Sequence, residues 1–206
     1  MTCRRLERAE LPVDTVALAR FLIGKLVVRR TPHSLMSGRI VETEAYVVGD
    51  AAGHTFRGAT PRTRSLFLEP GHAYLYLNYG VSWMLNVASE PAGTGAGVLI
   101  RALEPLEGIE IMEQNRGTSV LRRLTRGPGR LTEALRIEDW ADGLDLCQDD
   151  RLWLADDGEA LGKIGQSVRV GLSRHQDPER ILRFFTPGNR FVSGSVSVNE
   201  RVSAES

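Results

Sequence analysis

The chain has 206 residues, 42% hydrophobic and 25% charged, and its 26 basic residues balance 26 acidic ones. Those values suit one globular domain with a proper core and exclude a low-complexity chain or an uncharged run of about 18 apolar residues that could span a membrane. Two cysteines, Cys3 and Cys147, make neither a disulfide framework nor a cysteine zinc site, and the start MTCRRLERAELP lacks the apolar run of an export signal, so a reducing, cytoplasmic setting is expected.

A single domain is expected, with flexible ends at residues 1–9 and 195–206. Asp14 is placed to cap a helix carrying Val16, Leu18, Ala19 and Leu22, which passes through Gly24 into the strand KLVVRR. The loop TPHSLMSG then returns the chain to an antiparallel partner, GRIVETEAY. Successive side chains of a strand alternate, so Ile40, Glu42, Glu44 and Tyr46 share one face and Val41, Thr43 and Ala45 the other. The plain reading is that the second set faces the core and the glutamates are solvated. Residues 48–70, rich in Gly, Pro, Thr and Arg, read as a long functional loop. AYLYLNYG, SWMLNVAS and GVLIRAL read as further strands, EPLEGIEIMEQNRG as a helix, and GPGRLTEAL as a turn opening another helix. DRLWLAD, GQSVRVGL and LRFFT are later short strands. Strands joined by tight turns predict an α+β class, a mainly antiparallel, curved sheet flanked by helices.

Zero net charge argues against a nucleic-acid partner, but the arginines are clustered. Arg57, Arg62 and Arg64 form one group, and Arg116, Arg122, Arg123, Arg126 and Arg130 another; only Lys25 and Lys163 are lysines. Arginine's planar fork suits phosphate, although a genome-wide codon preference gives the same bias, so the clustering carries the argument. Gly127 and Gly129 permit a tight turn with free N–H groups at a helix start, which serves either a phosphate or a plain helix entry. Tyr74 and Tyr76 share a strand face, whereas the Gly80 turn projects Tyr79 away from the sheet, where it could enter a duplex. GTGAGV precedes its strand, so it reads as a hairpin loop and no dinucleotide fingerprint. The four histidines show no ligand spacing, and the local group of Glu44, Asp50 and His54 makes a poor metal site; neither metal nor cofactor is expected.

Taken in order, GRIVETEAY, HTFRG with TPR, AYLYLNYG with Asn86, VLIRALEPLEG and GPGRLTEAL resemble the alkyladenine (3-methyladenine) DNA glycosylase family over roughly residues 10 to 190. The resemblance implies excision of alkylated or deaminated purines, of the 3-methyladenine, 7-methylguanine and hypoxanthine class, flipped from duplex DNA. By the same resemblance Glu44 is the general base that activates water, and Arg101 lies near the base and water. Tyr46 stacks on the flipped base, His54 and Tyr76 complete the sandwich, Asn86 excludes guanine, and Tyr79 wedges into the vacated gap. Arg62, Gly127, Gly129 and Arg130 are the expected phosphate contacts, and Glu42 is structural or solvated. The chain departs from the family at Asn78 and Val81 beside the wedge, at Thr63 where asparagine is common, and at Arg130 where lysine is usual. The expected partner is double-stranded DNA with a damaged purine, met by a monomer away from membranes, nucleoid-associated in a bacterium or nuclear in a eukaryote. The enzyme is expected to be monofunctional, because strand cleavage needs a Schiff-base amine and neither Lys25 nor Lys163 lies in a matched motif. Two other readings stay open. A sugar hydrolase needs carboxylates about 5 to 9.5 Å apart from opposing positions, whereas these glutamates point the same way. A non-catalytic nucleic-acid-binding module leaves Glu44 without a purpose.

Overall fold

The computed structural model describes residues 3–160 and 162–194. The end expected to be flexible at 195–206 lies outside them. Within the other end, strand β1 (Arg4–Arg5) pairs with residues 155 and 156, and Leu6 is fully buried. Helix α1 (Thr15–Leu22) starts where Asp14 accepts the Ala17 N–H at 2.7 Å. It buries Leu18, Ala19 and Leu22, each such leucine contributing about 1.5 to 3 kcal/mol.

Strands β2 (Leu26–Thr31) and β3 (Ser34–Tyr46) form a hairpin whose turn is confined to Pro32 and His33. Residues 34–37, expected in a loop, are therefore already strand. Strands β4 (Ala73–Asn78), β5 (Ser82–Ala88) and β6 (Gly97–Glu107) follow. Glu104 to Glu107, expected in a helix, extend β6 instead, with Pro105 opposite Gly38; helix α2 (Ile109–Arg116) begins only after Gly108 turns the chain at φ 72°. Helix α3 (Pro128–Leu135) and strands β7 (Leu152–Asp156), β8 (Gly165–Ser167) and β9 (Arg183–Phe185) complete the described α-helices and strands. The sheet runs β1-β7-β2-β3-β6-β5-β4, and all its pairings among the described residues are antiparallel. The far half of β3 exchanges β2 for β9, which also pairs with β8. The fold is a single-sheet α+β arrangement. Among the described residues, no helix is long and apolar enough to cross a membrane.

The middle of β3 departs from simple alternation. The β3–β6 register shifts on both sides of Glu42, leaving Val41 and Arg101 out of the pairing. Ile40 and Ala45 consequently join the main core with α1 to α3, and Thr43 donates to the Ala19 carbonyl of α1 at 2.9 Å. Val41 instead packs into a separate cluster with Ala102, Phe185 and Phe191. A bulge of this kind re-aims side chains without ending the strand, and here it sits at the two glutamates.

Candidate active site

Neither glutamate is solvated. Both side chains are 0% exposed, and Arg101 from β6 bridges them, donating from Nε to Glu42 at 2.9 Å and from Nη1 to Glu44 at 3.0 Å. Glu44 also accepts the Val170 N–H at 2.7 Å and the Tyr46 hydroxyl at 3.0 Å. Burial raises the Glu44 pKa above the ordinary glutamate range; Arg101, the Val170 amide and Tyr46 oppose the rise without cancelling it, and the Glu42 charge adds to it. Glu42 goes the other way, because Arg101 and Arg183 outweigh its burial.

Beside this pair lies a cavity of about 710 Å3, within the size range of small-molecule sites. Tyr46, Arg101 and Val170, the three partners of Glu44, line it, while Glu44 itself stands behind them. His54 and Tyr76 meet at 4.3 Å between ring centroids, edge to face, and the His54 Nδ1 lies 2.9 Å from the Tyr74 hydroxyl. Burial, then Arg62, lowers the His54 pKa, so the ring is neutral at neutral pH. Burial pushes the Tyr74 hydroxyl up to about 12. Asn86 is fixed on the cavity wall by donating to the Tyr74 and Met84 carbonyls at 3.3 and 3.2 Å.

Tyr79 also borders the cavity, yet it is 94% exposed. It occupies the β4–β5 turn, closed by the Val81 N–H on the Asn78 carbonyl at 3.0 Å, with Tyr79 at φ 49° and Gly80 at φ 70°. Positive φ at both central residues matches the right-handed twist of a hairpin, but for a tyrosine it is strained by about 1 to 2 kcal/mol. A strained, exposed aromatic is a residue whose conformation is not explained by packing. Of the expected phosphate contacts, Arg62 lines the cavity 6.0 Å from the Tyr76 ring. Gly127, Gly129 and Arg130 lie outside its lining, although Pro128 between the glycines reaches it. Gly129 has a packing reason of its own, since a Cβ there would stand 2.6 Å from the Cβ of Ser82.

A family model described as methylpurine-DNA glycosylase matches residues 9–190. The chain belongs to that family. It is similar to proteins named as candidate 3-methyladenine DNA glycosylases. One, from Mesorhizobium japonicum, is 66% identical over 193 residues, 94% of this chain and 92% of the relative. Another, from Paraburkholderia phytofirmans, is 51% identical over 187 residues, 91% of this chain and 87% of the relative. A third, from Chlorobaculum parvum, is 41% identical over 199 residues, 95% and 91% of the two chains.

This methylpurine-DNA glycosylase family member also carries site residues that the sequence reading passed over. Arg169 lies 4.7 Å from the Tyr46 ring centroid, and its Nη2 donates to Asp50 at 3.1 Å, both side chains fully buried. Asp50, weighed above as a metal ligand, is thus committed to an arginine. Arg183 and Ser193 hold Glu42 from the far side. The only local trace of Arg169 is an arginine between two valines in SVRVG.

Proposed function

We propose that the cavity receives an alkylated or deaminated purine flipped out of duplex DNA, and that Glu44 activates the water that hydrolyses its N-glycosidic bond. The observation that carries this reading is a carboxylate buried behind an aromatic cavity and held by three donors. About four lone-pair positions exist on a carboxylate, so three donors leave one for water. Water joining the Tyr46 hydroxyl on the cavity side of Glu44 would sit between the base and the bound nucleoside. As the glycosidic bond breaks, positive charge develops on the sugar; the Glu44 charge stabilises it, and the carboxylate accepts the proton of the attacking water. A purine alkylated at N3 or N7 is cationic and leaves readily, and tyrosine faces attract it.

The product is an intact abasic site, since neither Lys25, tied to Asp156 at 2.7 Å, nor Lys163 lines the cavity to supply it an amine. Arg62, Gly127, Gly129 and Arg130 take backbone phosphates, and the enzyme works as a monomer in the cytoplasm or nucleoid. Glu44 stands behind one wall of the cavity, and among the described residues no second carboxylate lines the wall opposite it, which disfavours a sugar hydrolase with two opposing acids. A base-release assay against duplexes carrying 3-methyladenine, 7-methylguanine, hypoxanthine or normal purines tests the reading; release of none of the damaged bases would overturn it. Asn86→Ser is expected to release more undamaged guanine, because the shorter side chain no longer crowds the exocyclic amino group that adenine and hypoxanthine lack. Unchanged guanine release would place discrimination elsewhere on the wall.

A further inference from the structure

Glu42 is the buried charge that the proposed reaction does not use. Its Oε1 accepts from Arg101 Nε at 2.9 Å, Arg183 Nε at 2.7 Å and Ser193 Oγ at 2.8 Å, and its Oε2 accepts the Ser193 N–H at 2.6 Å. Arg183 is itself held by Ser167 Oγ at 2.9 Å and the Ser193 carbonyl at 3.1 Å. Two acids and two arginines are therefore buried together, an arrangement that apolar residues of similar volume often replace with no loss of stability. What the cluster does determine is the orientation of Arg101. An arginine fork prefers to grip one carboxylate with two nitrogens, but here the fork is divided, with Nε on Glu42, Nη1 on Glu44 and Nη2 donating to Ser193 Oγ at 3.4 Å.

We infer that Glu42 is a positioning residue: anchored by Arg183 and Ser193, it keeps Arg101 turned so that one guanidinium nitrogen alone meets Glu44, leaving that carboxylate a lone pair for water. The inference rests on Glu44 being the base. Without the Glu42 charge, Arg101 turns both nitrogens to Glu44, fills its remaining acceptor position and makes it a weaker base. The groups facing Glu44 are Arg101, Glu42, Tyr46 and Tyr76, with Arg169 behind Tyr46. Those facing Glu42 are Arg101 and Arg183, with Arg126 further out. Loss of Glu42 therefore removes a negative neighbour of Glu44 and frees a positive one, and both effects favour the ionised Glu44 at lower pH.

The test is single-turnover base release from a methylated-purine duplex across pH, with duplex affinity measured in parallel, for wild type, Glu42→Gln, Ser193→Ala and Glu44→Gln. Glu42→Gln is expected to slow release by up to roughly tenfold, the ceiling that Brønsted behaviour sets for about one unit of basicity at Glu44. Its acid limb should move to lower pH and its duplex affinity should stay unchanged. Ser193→Ala, which keeps every charge, should shift both quantities the same way and less. An unchanged rate and acid limb with only a lowered melting temperature would make Glu42 a purely structural ion and overturn the inference. If Glu42→Gln does not fold, Glu42→Asp, which keeps the charge but draws it back from Arg101, decides by the same criteria. Full activity in Glu44→Gln would overturn the reading of the base, an outcome distinct from an inactive Glu44→Gln beside an unaltered Glu42→Gln.

Discussion

Glu44→Gln is expected to lose base release by about a hundredfold to ten-thousandfold, the usual contribution of a positioned general base, while still binding damaged duplex. The amide preserves the size of the side chain but cannot take the proton of water at neutral pH. It also introduces a donor where only donors point, at the Val170 amide, the Tyr46 hydroxyl and Arg101. One of these contacts becomes donor against donor, and the melting temperature should fall by the equivalent of about 1 to 3 kcal/mol. The pH profile gives a second readout. The raised pKa of Glu44 means that its ionised form is lost as pH falls through a value above the ordinary glutamate figure of about 4.3. Wild-type release should therefore rise with pH along an acid limb displaced upward from that figure, and the residual activity of Glu44→Gln should lack the limb. A loss no larger than that of Glu42→Gln would take the base role away from Glu44.

Tyr79→Ser is expected to weaken binding to a lesion-bearing duplex by on the order of tenfold or more, since each 1.4 kcal/mol is a factor of ten. Extruding a nucleotide costs a few kcal/mol in pairing and stacking, and an inserted aromatic recovers about 1 to 3 kcal/mol of stacking per base. The loss should shrink when the lesion lies in single-stranded DNA or opposite a gap, where less stacking needs replacing. Because Tyr79 is exposed and held at positive φ, its removal takes away little packing, so the fold should not lose stability. A lowered melting temperature with unchanged duplex binding would mark it as a packing residue after all.

The parts legible in the sequence were those with local causes. The Asp14 cap, the β4–β5 hairpin and the opening of α3 each depend on residues within a few positions of one another. The helix expected over Glu104 to Glu107 failed because a short mixed run carries no decisive period, and pairing to β3 settled it as strand. The alternation held from Glu42 to Ala45 but failed at Ile40 and Val41, which exchange faces, for a related reason: the bulge is a property of two strands together, so neither strand alone records it. Tyr46, His54, Tyr76, Asn86 and Arg101 border one cavity, whereas the partners that hold Glu42 come from 141 and 151 residues away and leave no pattern near it. Buried arginines such as Arg169 and Arg183 read in the sequence like any surface arginine, since only the fold reveals the carboxylate that each one faces.

The pairing of β3 with β9 also bears on what a partly synthesised chain can complete. The chain emerges N-terminus first, and contacts between distant segments form slowly because the intervening loop must close. When residues up to about β7 have left the ribosome, Glu42 and Glu44 can already lie side by side with Arg101 between them, but Arg183 and the Ser193 amide are not yet made. At that stage two carboxylates share one arginine, and desolvating both is unfavourable. A product terminated before β9 lacks Arg183 and the Ser193 amide, so its two carboxylates are expected to share Arg101 alone and the centre of β3 to stay open to water, which hydrogen exchange on such a truncated chain would check.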